Sequence, residues 1–456
     1  MSVASALVAL FLGVALVPPD EARPLVEQRF ELRQRADAIA TVVARCTGCS
    51  WDTPGKEAAV LVLSVDGAYS QHLMLVRGNT PAEYPVLLGI LGAGPHQLGI
   101  TLDTSWTPAG VGTVVDEVRI TQPLADQALA VSHAPMLFAR PNTIRRFTDV
   151  PVIMWYETER LPQGTRVRYS VLFTNEDGGT PTDRLMATWG RTTDIELVYE
   201  VDLDDRGAIR RDTIQAPNHV FRPFAGRYEA QHPLLWVATD NNMVSDAAPD
   251  PRRGERSAPE GRSSRGKPPR APTPVRLAPA PFLVDLTDRS REAVMDAQPW
   301  TYRVGAGEVA REGKVTADAS PGSGRIPDPR RFAYVEACGT LTDAALAFAI
   351  ETRDGSGHTR WIASDGALPA FRIARNGCFR GAVALPSDVG RSQIAALRVI
   401  ISAKPGATGP PEARLTRVNR VFFLGDDFMP GTNLAVWNGD VQLRPRAPFE
   451  LAIRAP

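Results

Sequence analysis

The stretch "TTDIELVYEVDLDD", residues 192–205, constrains the fold more than any other segment because apolar and acidic side chains alternate along it. The apolar residues of one parity are Ile195, Leu197, Tyr199, Val201 and Leu203. The acidic residues of the other parity are Asp194, Glu196, Glu200 and Asp202. A period of two is typical of a half-buried β-strand. We therefore expect the apolar set to face a core and the four carboxylates to share the opposite face.

Similar but shorter runs recur along the chain, separated by turn-forming residues among its 37 glycines and 39 prolines. Residues 286–296 are one of the few helix candidates. Many short strands with turns between them are typical of antiparallel sandwiches, and 456 residues suffice for two or three domains. The sequence therefore predicts an all-β, multi-domain protein.

The composition divides the chain into five parts. We expect a β-sandwich accessory module at 25–122, a β domain with a candidate polar site at 130–246, and a C-terminal β-sandwich at 282–456. Residues 247–281 are rich in Pro, Arg, Ser and Gly and lack an apolar period, which predicts a disordered linker. Residues 1–23 contain one apolar run and are typical of a signal segment.

The signal-like segment predicts a secreted, periplasmic or cell-surface protein. Its apolar run, Val3 to Val17, is shorter than the roughly 20 residues of a membrane span, so no integral span is predicted. Export and an even number of cysteines favour disulfides. The simplest of the three pairings is Cys46 with Cys49 and Cys338 with Cys378. A redox motif or half a zinc site remains an alternative for Cys46 and Cys49.

Net charge and motifs exclude several classes of function. The 51 basic and 51 acidic residues balance, whereas proteins that bind nucleic acid usually carry a basic surplus. The chain has no H-E-x-x-H, G-x-S-x-G, P-loop or dinucleotide fingerprint. Common hydrolase, kinase and dehydrogenase classes are therefore not indicated, and no nucleic-acid partner is predicted.

The acidic strand divides into two parts with different expected roles. The run "RVRYSVLF", residues 166–173, is a second strand with Arg166 and Arg168 on its polar parity. If the two strands pair antiparallel, these arginines lie opposite Glu200 and Asp202 and form cross-strand ion pairs. Those two carboxylates then need no functional explanation.

The other end of the strand carries the candidate site. If the middle domain is an enzyme, we expect Asp194 or Glu196 to act as base or metal ligand and His219 or His232 as acid. The candidate ligand-binding residues beside them are Asn175, Asp177 and Arg191. Crowded carboxylates need protons, a cation or arginine to compensate their repulsion. A divalent cation such as calcium is therefore an alternative, although the spacing lacks an EF-hand pattern, and no other cofactor is predicted.

A family resemblance supports a polar site in this region. The segments "HAPMLFARP", "VRYSVLF", "GRTTDIELVYEVDLDDRG" and "APNH", within residues 130–240, resemble the vacuolar-sorting-associated β-domain family. Asp194-Ile195-Glu196 stands where that family has Asp-Trp-Glu, and His219 stands where its later histidine lies. The resemblance implies an all-β domain with a polar site.

These observations favour an exported protein that binds an extracellular polymer, with a glycan as the leading candidate. Trp51, Trp106 and Trp361 are candidates for stacking on sugar rings. One alternative is a polysaccharide hydrolase or lyase that uses the middle domain. A structural envelope protein is a third hypothesis.

Overall fold

The fold is described here from a computed structural model, which covers residues 24–176, 178–249, 275–317 and 319–453. Strands account for 49% of the structure and helices for 11%, and the sheets are mostly antiparallel. The predicted all-β, multi-domain fold class is confirmed. No helix among the described residues combines the length and the apolar character needed to cross a membrane. The predicted signal segment, 1–23, lies outside the described residues.

The first seven strands form a sandwich of two sheets. They are Val26–Leu32 (β1), Ala36–Thr47 (β2), Val60–Val65 (β3), Ala68–Met74 (β4), Ala82–Leu91 (β5), Gly94–Leu102 (β6) and Gly112–Thr121 (β7). The strand orders are β1-β6-β3-β4 and β5-β2-β7. Along β2, Ala40, Val42 and Ala44 are fully buried while the residues between them are half-buried. Every second side chain therefore enters the core between the sheets.

The middle region contains nine strands and three short helices. The strands are Met136–Ala139 (β8), Pro151–Leu161 (β9), Gly164–Phe173 (β10), Asp194–Leu203 (β11), Ile209–Ala216 (β12), Val220–Pro223 (β13), Tyr228–Glu229 (β14), His232–Val237 (β15) and Val244–Ser245 (β16). The helices are Ala128–Ser132 (α1), Pro141–Ile144 (α2) and Thr182–Trp189 (α3). Strands β13 to β9 form a meander, and β14, β15, β16 and β8 belong to a second sheet.

A segment that we call the strap, residues 275–283, joins the first two regions. It contains Val275–Arg276 (β17), which pairs with β8, and Pro281–Leu283 (β18), which pairs parallel to β9. The Leu87 amide donates to the Ala278 carbonyl at 3.0 Å, so the strap also contacts β5. The predicted linker lies outside the described residues over 250–274, and its last residues belong to the strap.

The remaining chain forms two helices and a second sandwich. The helices are Ala293–Ala297 (α4) and Trp300–Arg311 (α5). The strands are Phe332–Thr342 (β19), Ala344–Arg353 (β20), Thr359–Ala363 (β21), Gly377–Ala384 (β22), Ile394–Ala403 (β23), Glu412–Phe422 (β24), Trp437–Leu443 (β25) and Phe449–Ala452 (β26). The strand orders are β22-β19-β24-β25 and β21-β20-β23-β26.

Both disulfides of the simplest predicted pairing are present. Cys338 on β19 lies directly opposite Cys378 on β22 and is bonded to it. Cys46 is bonded to Cys49 at the end of β2. The bonded Cys46–Cys49 pair fits the expected local staple, and a redox motif in its oxidised form has the same bond.

The six-stranded middle sheet has an apolar core on each face. On one face, Tyr169 and Val171 of β10 pack with Leu235 of the second middle sheet. On the other face, Leu172 packs with Tyr302 of α5 and with β24 of the C-terminal sandwich. A polar residue on β11 therefore meets protein on either face of this sheet.

Candidate functional site

A β-bulge divides the acidic strand into two halves. Tyr169 of β10 pairs with Tyr199 of β11, but the next residue, Ser170, pairs with Leu197, so Val198 is an extra residue. An extra residue reverses the side on which all following side chains lie. The expectation that four carboxylates share one face is therefore wrong.

The pairing register shows where each half points. Asp194 pairs with Phe173 and Glu196 with Val171, and both partners belong to the core between the two middle sheets. Glu200 and Asp202 instead pair with the two arginines on the opposite parity of β10. Asp194 and Glu196 are consequently buried, with 1% and 8% of their surface exposed.

The predicted ion-pair ladder is confirmed on the other half. Nε of Arg166 lies 2.6 Å from an oxygen of Asp202, and Nε of Arg168 lies 2.8 Å from Glu200. A hydrogen bond from Arg166 holds the pKa of Asp202 below its ordinary value. These two carboxylates are thus explained by cross-strand pairing.

Of the two buried carboxylates on β11, Asp194 and Glu196, Asp194 forms an ion pair. One of its oxygens accepts from Arg191 at 3.2 Å and from the Ile195 amide at 2.8 Å. The other accepts from the Asn242 side chain at 3.0 Å. Arg191 is itself 5% exposed, and its Nε lies 3.7 Å from Glu292. The structure therefore brings together two predicted site residues, Asp194 and Arg191.

Glu196 lies in the same group without a direct cationic partner among the described residues. Its Oε2 accepts a hydrogen bond from Gln215 at 3.2 Å. Burial first, and then the charge of Asp194, raise the pKa of Glu196 well above its ordinary value, although Arg291 and Arg191 oppose the shift. Burial and the neighbouring carboxylate thus favour the neutral form of Glu196.

Glu176 is a third carboxyl of this group and was not among the predicted catalytic residues. Burial and the charge of Asp194 raise its pKa to about 7. Its oxygen accepts from the Thr180 amide at 2.7 Å. The neighbouring candidate Asn175 donates to Glu312 at 2.8 Å, while its carbonyl accepts from Asn242. The candidate Asp177 lies outside the described residues.

His219 connects the buried group with solvent. It is exposed, and its Nδ1 lies 2.8 Å from Nε2 of Gln215, the same nitrogen that donates to Glu196. Asn218 and His219 both have left-handed backbone conformations, with φ of 63° and 57°. Sequence analysis did not identify Gln215, because an amide on a strand has no distinguishing pattern.

His232 is placed elsewhere. It is fully buried on β15, where Nδ1 lies 2.8 Å from the Ala134 carbonyl and Nε2 lies 2.8 Å from Asp37 of β2. These contacts join the middle region to the first sandwich. None of its contacts among the described residues is with Asp194, Glu196 or His219.

The oxygen-rich patch also bears on metal binding. Among the residues that the structure describes, no group of three or more His, Cys, Asp or Glu side chains is arranged to hold a metal ion. Arg191 already provides a counter-charge to Asp194 there. The candidate ligand-binding residue Asp177 is not among the described residues.

The edge strand β13 borders the candidate site. Phe221 pairs with Gln215, and His219 comes just before the strand. Val220 and Phe221 are each 55% exposed, and Arg222 forms an ion pair with Asp246 at 2.6 Å. The polar group therefore reaches the surface beside an exposed aromatic ring.

Replacing Glu196 by glutamine is expected to raise the melting temperature at pH 8 by about 2–4 °C, which corresponds to roughly 1 kcal/mol. The pKa of Glu196 is raised on folding. Its contribution to stability is therefore complete below the ordinary pKa and is lost as the pH rises through the folded pKa. Glutamine mimics the neutral acid at every pH. Thermal unfolding of both proteins between pH 5 and pH 9 measures the difference.

Glu200→Gln is the matched control, because Glu200 is on the same strand but pairs with Arg168 and Arg211. We expect it to change stability by at most about 1 kcal/mol without the gain at high pH. If Glu196→Gln and Glu200→Gln had the same pH profile, Glu196 would not be held as a neutral acid.

Comparisons with known proteins identify no family for this chain. No protein-family model matches it, and no curated protein matches it significantly. One solved structure with a match is described as the EclA C-terminal domain, a sugar-binding protein. It is 19% identical, with 22% of this chain and 68% of that chain covered, and the TM-score is 0.17. We draw nothing about function from a likeness of this size.

Proposed function

We propose that this chain is an exported protein that binds an extracellular glycan along the edge strand β13. The observation that carries the proposal is the exposed ring of Phe221. Phe221 is two residues after His219, and it pairs across β12 and β13 with Gln215, which donates to Glu196. A sugar ring has an apolar face and polar edges, so an exposed aromatic ring with polar neighbours suits it.

The three tryptophans expected to stack on sugars support the proposal less well. Trp51 is 7% exposed and belongs to the core of the first sandwich. Trp106 is covered by His72, with ring centres 5.0 Å apart, and Trp361 lies under Arg398. Phe221 is more exposed than these rings and makes the better candidate.

Phe221→Ala is expected to weaken glycan binding at least tenfold, because truncating a central aromatic anchor typically costs about 2 kcal/mol or more. A glycan array with the whole protein identifies the ligand, and calorimetry then measures its affinity for each variant. Tyr69→Ala is the matched control, since Tyr69 is 52% exposed on β4 of the first sandwich. Equal losses in both variants, or none in Phe221→Ala, would contradict the proposal.

One observation favours a second function, cleavage of a polysaccharide. The pKa of Glu176 is raised to about 7 and that of Glu196 is also raised, and a general acid needs a raised pKa to hold its proton. Incubation with a polysaccharide panel, followed by assay of new reducing ends, tests it. Activity that Glu196→Gln abolishes and Glu200→Gln retains would support an enzyme.

A further inference from the structure

A pocket lies where the first sandwich, the middle sheet, the strap and the start of α5 meet. It has a volume of about 100 Å³ and is lined mainly by apolar side chains. Those walls include Met74, Val86, Val152, Leu277 and Phe282, and Trp300 and Arg77 also line the pocket. A cavity of this order holds a ring-sized apolar group, and ligand pockets occur preferentially at such junctions.

Arg77 is the charged group that distinguishes this pocket. Its guanidinium lies over the ring of Trp300, 4.9 Å from the ring centre, and donates to the Glu83 carbonyl at 3.4 Å. The Glu83 carboxylate pairs with Arg119 instead. Among the described residues, Arg77 has no ion pair with a carboxylate. A half-buried guanidinium is thus held in place by an aromatic ring and a carbonyl without a direct ion pair among the described residues, although Glu83 lies close enough to offset part of its charge.

The surroundings of Arg77 make this charge costly. Burial lowers the pKa of Arg77 despite the neighbouring Tyr84 and Glu83. Its backbone amide donates to the Tyr84 hydroxyl at 3.1 Å, so both the main chain and the side chain of Arg77 are held by hydrogen bonds. Partly desolvated charges are normally paired, and a planar guanidinium pairs best with a carboxylate through two hydrogen bonds.

We propose that this pocket binds a small amphipathic carboxylic acid, with its apolar body between Met74, Val86 and Val152 and its carboxylate on Arg77. Apolar walls alone suit any hydrocarbon, but one unpaired guanidinium selects an anionic head group. The ligand would contact the strap, the first sandwich and the middle sheet together, so binding also stabilises their association. This site is separate from β13 and does not rest on the proposed glycan function.

Calorimetry with the whole protein tests the proposal with defined probes. We expect benzoate or hexanoate to bind at least tenfold more tightly than the neutral alcohol of the same skeleton, because a hydrogen-bonded ion pair forms only with the acid. The two acids distinguish an aromatic from an acyl ligand. Equal binding of acid and alcohol, or no binding of any probe, would overturn the proposal.

Variants locate the site. Arg77→Gln should bind the acid and the alcohol with about equal affinity. The control Arg145→Gln should keep the tighter binding of the acid. Arg145 lies over Trp106 at 5.1 Å in a similar cation–π contact and does not line the pocket. Val152→Trp should fill the cavity and remove binding of every probe. If Arg77→Gln fails to fold, Arg77→Met tests the same point, because it keeps an apolar stem and removes the charge. An acid preference that survives in the folded Arg77 variant would contradict the proposal.

Discussion

Replacing Arg380 by methionine is expected to destabilise the protein by about 3–5 kcal/mol. Arg380 is fully buried on β22 and donates to Asp296 at 2.7 Å, to the Tyr302 hydroxyl at 2.5 Å, and to Glu336. Methionine fills a similar volume but leaves two buried carboxylates without their main counter-charge. Urea unfolding followed by circular dichroism measures the loss.

The network around Arg380 joins the C-terminal sandwich to α4 and α5. Arg289 also pairs with Glu336 at 2.6 Å, and Arg420 lies 3.3 Å from Asp296. These partners lie at the edge of the network and are partly exposed. Arg289 also contacts Asp296 at 3.1 Å, so these arginines reduce the cost of losing Arg380. They do not remove it, because both are partly exposed and Arg380 is the arginine that donates to the Tyr302 hydroxyl.

The pH dependence separates lost charge pairing from lost packing. Burial would raise the pKa of Glu336 and Asp296, but Arg380 and its neighbours outweigh it and hold both below their ordinary values. Their contribution is present above the ordinary pKa values and is lost as the pH falls through the folded values. Without Arg380, burial has the larger effect on the pKa values of Glu336 and Asp296. Lowering the pH then no longer reduces the stability of the protein through these two groups. The gap between wild type and Arg380→Met should therefore narrow below about pH 4.

Arg360→Met is the control for this experiment. Arg360 pairs with Asp388 at 3.0 Å on the same sandwich, but both side chains are about half exposed or more. Surface pairs of this kind contribute about 0–1 kcal/mol. A gap between wild type and Arg380→Met that stayed constant from pH 7 to pH 3 would mean that packing, rather than charge, explains the loss.

Removal of the Cys338–Cys378 disulfide by a double serine substitution is expected to cost about 2–5 kcal/mol. The two cysteines are 40 residues apart and lie directly opposite each other on β19 and β22. The cross-link limits the conformations of the unfolded chain between them, and it holds the terminal strand β22 of the sheet in register with β19. Denaturant unfolding of the oxidised wild type and the double variant measures this cost.

The second disulfide provides the matched control. Cys46 and Cys49 are separated by only three positions, so their bond closes a very short loop. In the chain-entropy account a shorter loop gives less stabilisation. A Cys46, Cys49 double serine variant should therefore lose less stability than the Cys338, Cys378 variant. The reverse order would show that local strain or packing, rather than loop closure, governs both bonds.

The sequence alone determined the features that depend on neighbouring residues. Alternation along residues 194–203 predicted a strand, because side chains on a strand point to opposite faces in turn. The matching alternation of Arg166 and Arg168 predicted their pairs with Asp202 and Glu200, because opposite charges favour that register. The positions of four cysteines likewise favoured the disulfide pairing that the structure has.

Only the tertiary structure decided which carboxylates became buried. The bulge at Val198 leaves no trace in the alternation, because Leu197 and Val198 are both apolar and either can face a core. That one extra residue turned Asp194 and Glu196 into the interior, where burial and the charge of Asp194 raise the pKa of Glu196.

The other features that the sequence did not predict depend on contacts between distant segments. His232 meets Asp37 across 195 positions, and the pocket of Arg77 is assembled from four separate parts of the chain. Such contacts depend on how whole sheets pack, which no local pattern of residues records.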